Sequence, residues 1–379
     1  MKLSVTIARI IVGVLFIFSG LIKAIDPLGL TYKMQEFFEV WGREGYATIV
    51  MNWMYNHSFL FSILMITFEV VLGVALLTGF SKKIILCSLF ILMLFFTFLT
   101  SYVLFSGKIA TCGCFGDCIP LIPIQTFTKD IILLLLIIFL LFKQAYIQPL
   151  AKEMLPLAFV LASVMAISLL QMHVLKHLPL IDCLPYKKGN DLLQLRKMPA
   201  NAIPDKFDYS FVYEKGGVKK TFGTNELPDS TWNYVDRKET LVQKGSNNVP
   251  LINDFSLTDS AGVDVTESLL SQSGRYYLFF LKDMEGGTMR WSTAFTNLWQ
   301  KAKEQKIPLY IVTADKENST IFFNKTNQYA VPILTCDATV IKTAARATPT
   351  LFLMKGPVVQ GKWSWADIKE AVGKILIKN

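Results

Sequence analysis

The sequence predicts an α-helical membrane bundle of five spans followed by a soluble α/β domain. Three observations point there. Apolar residues make up 52% of the 379 positions, more than a soluble two-domain chain carries. They gather before residue 180, in runs near the ~20 residues that carry a helix across ~30 Å of hydrocarbon. From residue 251 onward the pattern changes to short apolar strands alternating with helical periodicity.

The spans are expected at 3–22, 59–80, 84–105, 131–142 with a slight extension, and 155–175. No small-residue cleavage site follows the first run, and Lys23 with Asp26-Pro27 reads as a helix exit, so this run is expected to be a retained span and not a signal peptide. Lys2, Arg9, Lys82, Lys83, Lys143 and Lys152 fall on one side if the amino terminus is cytoplasmic, against Lys23, Lys33, Arg43, Lys108 and Lys129 on the other. That topology places segment 23–57, loop 107–129 and everything after about residue 176 outside the cytoplasm, in the periplasm if the membrane is a bacterial inner membrane. Between the first two spans, Tyr32, Phe37, Phe38, Val40 and Trp41 recur at near-helical spacing, which fits an interfacial cap or a packed loop helix.

The expected divisions are 1–150 for the four-helix core, 151–178 for the fifth helix, 179–249 for an irregular connector and 250–379 for the α/β domain. In the last, strands are expected at 275–282, 307–313, 331–335, 348–354 and 357–362, with a final helix at 363–378. The net charge of +9 is spread over loops and the soluble half, with no basic and aromatic stripe. Nucleic acid is therefore not an expected partner, and the lipid bilayer is.

The sharpest chemical signal is Cys112-Gly113-Cys114-Phe115-Gly116-Asp117-Cys118. Three thiols within seven residues of an extracytoplasmic loop exchange, pair as static bonds, or bind metal. Glycines 113 and 116 permit tight turns that would bring Cys114 or Cys112 to Cys118. Metal is the weakest of the three, because His57, His173 and His177 lack ligand spacing. Cys183, just past the fifth span, is expected at the same membrane face, as an exchange partner or as a static or free thiol. Arg9 and Glu69 lie inside spans and are expected to form a mutual ion pair, with a proton-relay or quinone-site role for Glu69 as the alternative. Cys87 is expected in core packing, and Cys336 as a buried small side chain or a single thiol.

Phe16–Gly29 (FIFSGLIKAIDPLG), Glu69 within TFEVVLG, and TCGCFGD from Thr111 to Asp117 together resemble the DoxX/MauE membrane proteins over residues 1–150. That resemblance implies a four-helix core, a connection to methylamine utilisation through disulfide formation, and Cys112 and Cys114 as the membrane-side redox pair. Cys118 is an addition to that pattern. The core also resembles that of quinone-linked thiol oxidases, so a quinone is the implied electron acceptor. Residues 250–379 resemble a thioredoxin-like, TlpA-like domain, with Thr348-Pro349 at the cis-proline turn that contacts a substrate. The stretch after Lys282 (DMEGGT) carries no cysteine where that family has its C-x-x-C, so the domain is expected to bind a client with thiols or a disulfide and not to exchange thiols itself. Two functions remain open on the sequence: a membrane thiol–disulfide oxidoreductase, or a non-catalytic scaffold with structural disulfides.

Overall fold

A computed structural model describes residues 1–150, 154–243, 245–284 and 287–375. Lys152 of the charge pattern, Glu285 and Gly286 of the cysteine-free stretch, and 376–378 of the expected last helix lie outside the described residues.

Among the described residues, five helices are long and apolar enough to cross a membrane: α1 (Lys2–Ile25), α4 (Ser58–Thr78), α5 (Lys82–Ser106), α6 (Pro123–Phe142) and α7 (Met154–Lys176). Between α1 and α4 lie α2 (Pro27–Arg43) and α3 (Thr48–Asn56). Asp26 caps α2 by accepting from the Gly29 amide at 3.2 Å, with Pro27 in the first turn where its missing N–H costs nothing. Helix α6 begins eight residues before the expected 131, because its early charges neutralise each other: Lys129 Nζ lies 2.6 Å from Asp130 Oδ1.

The tightest pairing is α1 on α4, which run antiparallel. A Cβ on Gly73 would fall 2.8 Å from the Gly13 carbonyl oxygen, so the two glycines let the backbones approach to a distance that side chains would prevent. Helix α5 packs on α6, and α7 joins α4, where Gln171 Nε2 donates to Thr67 Oγ1 at 2.9 Å.

After α7, a short helix α8 (Leu192–Leu195) precedes three antiparallel strands, β1 (Lys206–Lys215), β2 (Val218–Gly223) and β3 (Asn233–Gln243), in the order β2-β1-β3. The irregular connector expected here is thus partly a sheet. Both faces of β3 are exposed, so selection for an apolar face never imposed the alternation that announces a strand.

The α/β domain contains α9 (Thr266–Leu270), β4 (Arg275–Leu281), α10 (Ser292–Glu304), β5 (Leu309–Thr313), α11 (Lys316–Thr320) leading into a π-helical turn at Ile321–Thr326, β6 (Ile333–Thr335), α12 (Ala338–Ala344), β7 (Thr350–Lys355), β8 (Val358–Ser364) and α13 (Ile368–Ile375). Its sheet runs β6-β5-β4-β7-β8, with β4, β5 and β6 parallel and β7 and β8 antiparallel. Strand β4 is central. Tyr276, Leu278 and Phe280 enter one apolar cluster and Tyr277, Phe279 and Leu281 the other, the period-2 consequence of burial on both faces. Each such side chain contributes about 1.5–3 kcal/mol by leaving water. The Thr348–Pro349 peptide before β7 is cis. The α/β domain with a mixed sheet expected from the sequence is thus present.

The α/β domain sits on one end of the bundle through charge pairs. Arg346, 7% exposed, donates from Nε to Asp26 Oδ2 at 2.7 Å and from Nη2 to Asp117 Oδ2 at 2.8 Å, and its guanidinium lies 5.3 Å from the Tyr32 ring centre. Lys362 Nζ meets Asp182 at 2.7 Å, and His177 Nδ1 meets Asp367 at 2.7 Å.

Candidate functional site

The loop between α5 and α6 folds over the end of the bundle where α1, α2 and α6 converge. Gly113 and Gly116, at φ +69° and +57°, turn it tightly, with the Gly116 amide donating to the Gly113 carbonyl at 3.0 Å. The Lys33 side chain crosses directly over Gly113, leaving no room for a larger residue without movement: an added Cβ would lie 3.2 Å from Lys33 Cγ.

This turn brings the Cys112 and Cys114 sulfurs to 3.0 Å, both as free thiols. Sulfurs at that distance share a proton. The hydrogen bond between the two sulfurs brings the Cys112 pKa down to about 6, against the upward push of burial and with help from the Thr126 side chain. The same bond, reinforced by burial, holds Cys114 well above the ordinary thiol value. The pair therefore gives up one proton easily and keeps the second. For a disulfide to form, the two sulfurs close from 3.0 Å to bonding distance as an oxidant takes two electrons.

Cys118 goes elsewhere. It is disulfide-bonded to Cys183, 65 residues on, which ties the loop to the segment after α7. The bond that the glycines were expected to permit between Cys118 and Cys112 or Cys114 is not formed, because the turn at 113–116 directs the first two cysteines towards the helices and Cys118 towards that segment. A small cavity of about 30 Å³ is bordered by Gly113, Asp117, Cys118, Asp182 and Cys183.

A buried polar chain backs the thiols. Lys23 Nζ lies 2.7 and 2.8 Å from the two Glu69 oxygens, both residues almost wholly buried. The Ser19 hydroxyl sits 3.2 Å from Glu69 Oε1 and 3.1 Å from the Cys114 carbonyl oxygen. On the other side, Thr100 Oγ1 donates to Asp130 Oδ2 at 3.1 Å, and Lys129 Nζ lies 5.0 Å from the Phe115 ring centre.

The expected Arg9–Glu69 pair is thus corrected. Arg9 and Lys23 are 14 residues apart on α1, about 21 Å along the axis. Because α4 runs antiparallel, Glu69 faces Lys23, and Arg9 faces the other end of α4. There Arg9 donates to the carbonyls of Leu76, Leu77 and Gln148 at 2.7, 2.7 and 2.8 Å, satisfying the C-terminal turn of α4. Cys87 is corrected as well: it is exposed on the outer surface of α5, not in core packing. Cys336 is buried, with its thiol pushed up to about 12 by burial, which makes it a poor nucleophile.

Thr348 and Pro349 line a cleft of about 250 Å³ with Lys282, Asp283, Arg290 and Trp365. Arg346, two residues before, pins this edge to the membrane half. Lys23, Lys129, Asp130 and Arg346 went unrecognised in the sequence as site residues. The signal for three of them was available: Ser19 and Lys23 are one helical turn apart, and Lys129-Asp130 is a charge pair leading into an apolar run.

Residues 1–143 match the family described as methylamine utilisation protein MauE, and residues 207–244 match a domain of unknown function, DUF8463. A relative described as Protein TlpB, from Flavobacterium psychrophilum, is 31% identical over 140 residues, 35% of this chain. The chain spans about a third, 35%, of that protein's own length. The MauE match covers α1 to α6, so the thiol loop and its backing charges lie inside it, while the α/β domain lies beyond it.

Proposed function

We propose that this integral membrane protein is a thiol–disulfide oxidoreductase of the bacterial cell envelope, with Cys112 and Cys114 as the exchanging pair and the α/β domain on the periplasmic side. The observation that carries the reading is the pair itself: two thiols 3.0 Å apart, one with its pKa lowered to about 6, at the end of an apolar bundle. In the exchange, a client dithiol, attacking through one of its sulfurs as the thiolate, opens the Cys112–Cys114 disulfide and then closes on itself. The client disulfide forms as the loop returns to two thiols, so two electrons and two protons pass from client to loop; the reverse step reduces a client.

Cys112 is the nucleophile and Cys114 the resolving thiol, an asymmetry that follows from which sulfur holds the proton. The Cys118–Cys183 bond holds the loop against the segment after α7 and is the second bond within the same compartment. The α/β domain has no thiol for exchange at the cleft formed by Thr348 and Pro349, and presents the client there.

The test is trapping. With Cys114→Ser, the resolving thiol is gone while a hydroxyl can still donate to the Cys112 sulfur, and Cys112 is expected to accumulate a mixed disulfide with glutathione or client, visible by mass mapping. With Cys112→Ala it is not. Equal trapping in both variants, or in neither, contradicts the assignment.

A further inference from the structure

Tyr186 and Leu192 are buried in the same apolar cluster as Tyr276, Leu278 and Phe280 of β4. The chain between them lies along the free edge of β8. The Gly189 and Leu192 amides donate to the Val359 and Pro357 carbonyls at 2.8 and 2.9 Å, and the Val359 amide donates to the Asn190 carbonyl at 3.0 Å. Lys362 of β8 holds Asp182, the residue before Cys183, at 2.7 Å. Cys183 is therefore anchored to the α/β domain, whereas Cys118 lies in the loop between α5 and α6 of the bundle. Their disulfide is a covalent bridge between the two halves of the molecule.

The chain joins the halves a second time through residues 177–182, which form neither helix nor strand and leave Leu180 and Ile181 exposed. Six such residues span up to roughly 20 Å and by themselves make a hinge. A bond at a second point blocks the pivot. The other contacts across the joint favour the same arrangement: Arg346 reaches Asp26 and also Asp117, the residue before Cys118, with its guanidinium 5.3 Å from the Tyr32 ring centre, while Asp367 meets His177. Each half of the disulfide thus follows a carboxylate that a buried cation of the α/β domain holds.

We propose that Cys118–Cys183 is a redox latch: closed, it fixes the α/β domain and its Thr348–Pro349 cleft against the thiol loop, and opened by a dithiol it frees the domain to pivot on residues 177–182. The latch goes beyond thiol exchange at Cys112 and Cys114 and uses neither sulfur. Both of its cysteines are partly exposed, so a small dithiol reaches them. One sulfur of the dithiol attacks as the thiolate and its second sulfur then closes on the first, so two electrons and two protons pass to Cys118 and Cys183. Bond and docking contacts favour one geometry, and each strengthens the other by the same factor. Closing the bond tightens docking, and docking makes the bond harder to reduce. A static tether lacks the second effect. In reducing surroundings the cleft is uncoupled from the thiol loop.

The experiment uses the full chain in lipid nanodiscs. Titration with dithiothreitol and its disulfide, read by mass mapping, gives the potential at which Cys118–Cys183 is half open. Arg346→Ala is expected to make opening about tenfold easier, which raises that potential by ~30 mV. Loss of a nearby cation by itself disfavours thiolates and shifts the potential the other way, so the sign separates coupling from local charge. Tyr32→Ala, a neutral change on the bundle side, is expected to act in the same direction, and Arg237→Ala, on the exposed strand β3, to change nothing. Separately, the double variant Cys118→Ser with Cys183→Ser is expected to lose hydrogen-exchange protection across 26–33 and 177–182 while β4, β5 and α4 keep theirs. A potential that falls, or that stays in place in both Arg346→Ala and Tyr32→Ala, overturns the latch. So does protection at the joint that survives without the bond, or a loss that extends through β4 and β5, where the bond would be holding the domain's own fold. These readouts concern Cys118, Cys183 and the joint, so they stand apart from whether Cys112 and Cys114 exchange.

Discussion

The reactivity of Cys112 should follow pH in a way that depends on one neighbour. With its pKa near 6, Cys112 is about 90% thiolate at pH 7; at the ordinary value of 9.0 it would be about 1%. Thiolate is the reacting form, so the alkylation rate should rise with pH to a plateau, half-complete near pH 6. Removing the donor with Cys114→Ala leaves burial unopposed by the dominant hydrogen bond. The midpoint should then move up by about 3 pH units, towards or past 9. The gain in thiolate fraction in the native protein, about 90-fold at pH 7, is partly offset because a less basic thiolate is less nucleophilic: a slope of ~0.45 over about 3 units removes roughly 20-fold. The net difference at pH 7 is only about 4-fold, whereas the midpoint moves by about 3 units. The midpoint is therefore the quantity to measure. A small neutral reagent such as methyl methanethiosulfonate, with the Cys112 peptide quantified by mass spectrometry between pH 4.5 and 10, separates this site from Cys87 and Cys336. A native midpoint near 9, or one that Cys114→Ala leaves in place, refutes the shared-proton account.

The Lys23–Glu69 pair is buried on both sides, so Glu69→Gln or Lys23→Met alone should cost about 3–5 kcal/mol, read as a fall in thermal stability in detergent, while the double change Lys23→Met with Glu69→Leu should recover most of it. Additive losses in the double variant would contradict that pairing. Gly73→Val should separate α1 from α4, lowering both folded yield and melting temperature, because its side chain has the Gly13 carbonyl and Ile17 in its path. Arg346→Ala should release the α/β domain, at a cost of about 2–5 kcal/mol in docking, and raise hydrogen exchange across 177–190. Lys at 346 should not restore protection, because it lacks the fork that reaches Asp26 and Asp117 together; full protection in Arg346→Lys would show that charge alone holds the domain.

What the sequence made legible follows from which forces act locally. Apolar runs report membrane spans directly, and four of the five spans stand close to where hydropathy puts them; only α6 begins early, because a Lys-Asp pair inside a helix costs little once each neutralises the other. Strand β4 and its neighbours announced themselves by dense apolar runs, since both faces are buried. Strands β1 to β3 did not, because most of their residues face water on either side. In the site, the C-x-C pair was visible as a local spacing. The partner of Cys118 was not, since Cys183 reaches it through the path of α6 and α7. The partner of Glu69 depended on helix direction: parallel packing would have put it nearer Arg9, and antiparallel packing gives it Lys23. Arg346 belonged to no motif, and its importance lies in contacts some 230 and 320 positions away in sequence.

The central claim is that Cys112 and Cys114 are a redox pair and Cys118–Cys183 is a different bond. It is tested most directly by differential alkylation and mass mapping of all four cysteines in native membranes across a glutathione titration. The account predicts that Cys112 and Cys114 open and close together, reversibly, at a potential above about −250 mV, with no Cys112–Cys118 or Cys114–Cys118 linkage at any point. A pair that stays closed to much lower potentials, thiols that never oxidise, or bonds that scramble between Cys118 and its neighbours in the loop would contradict it.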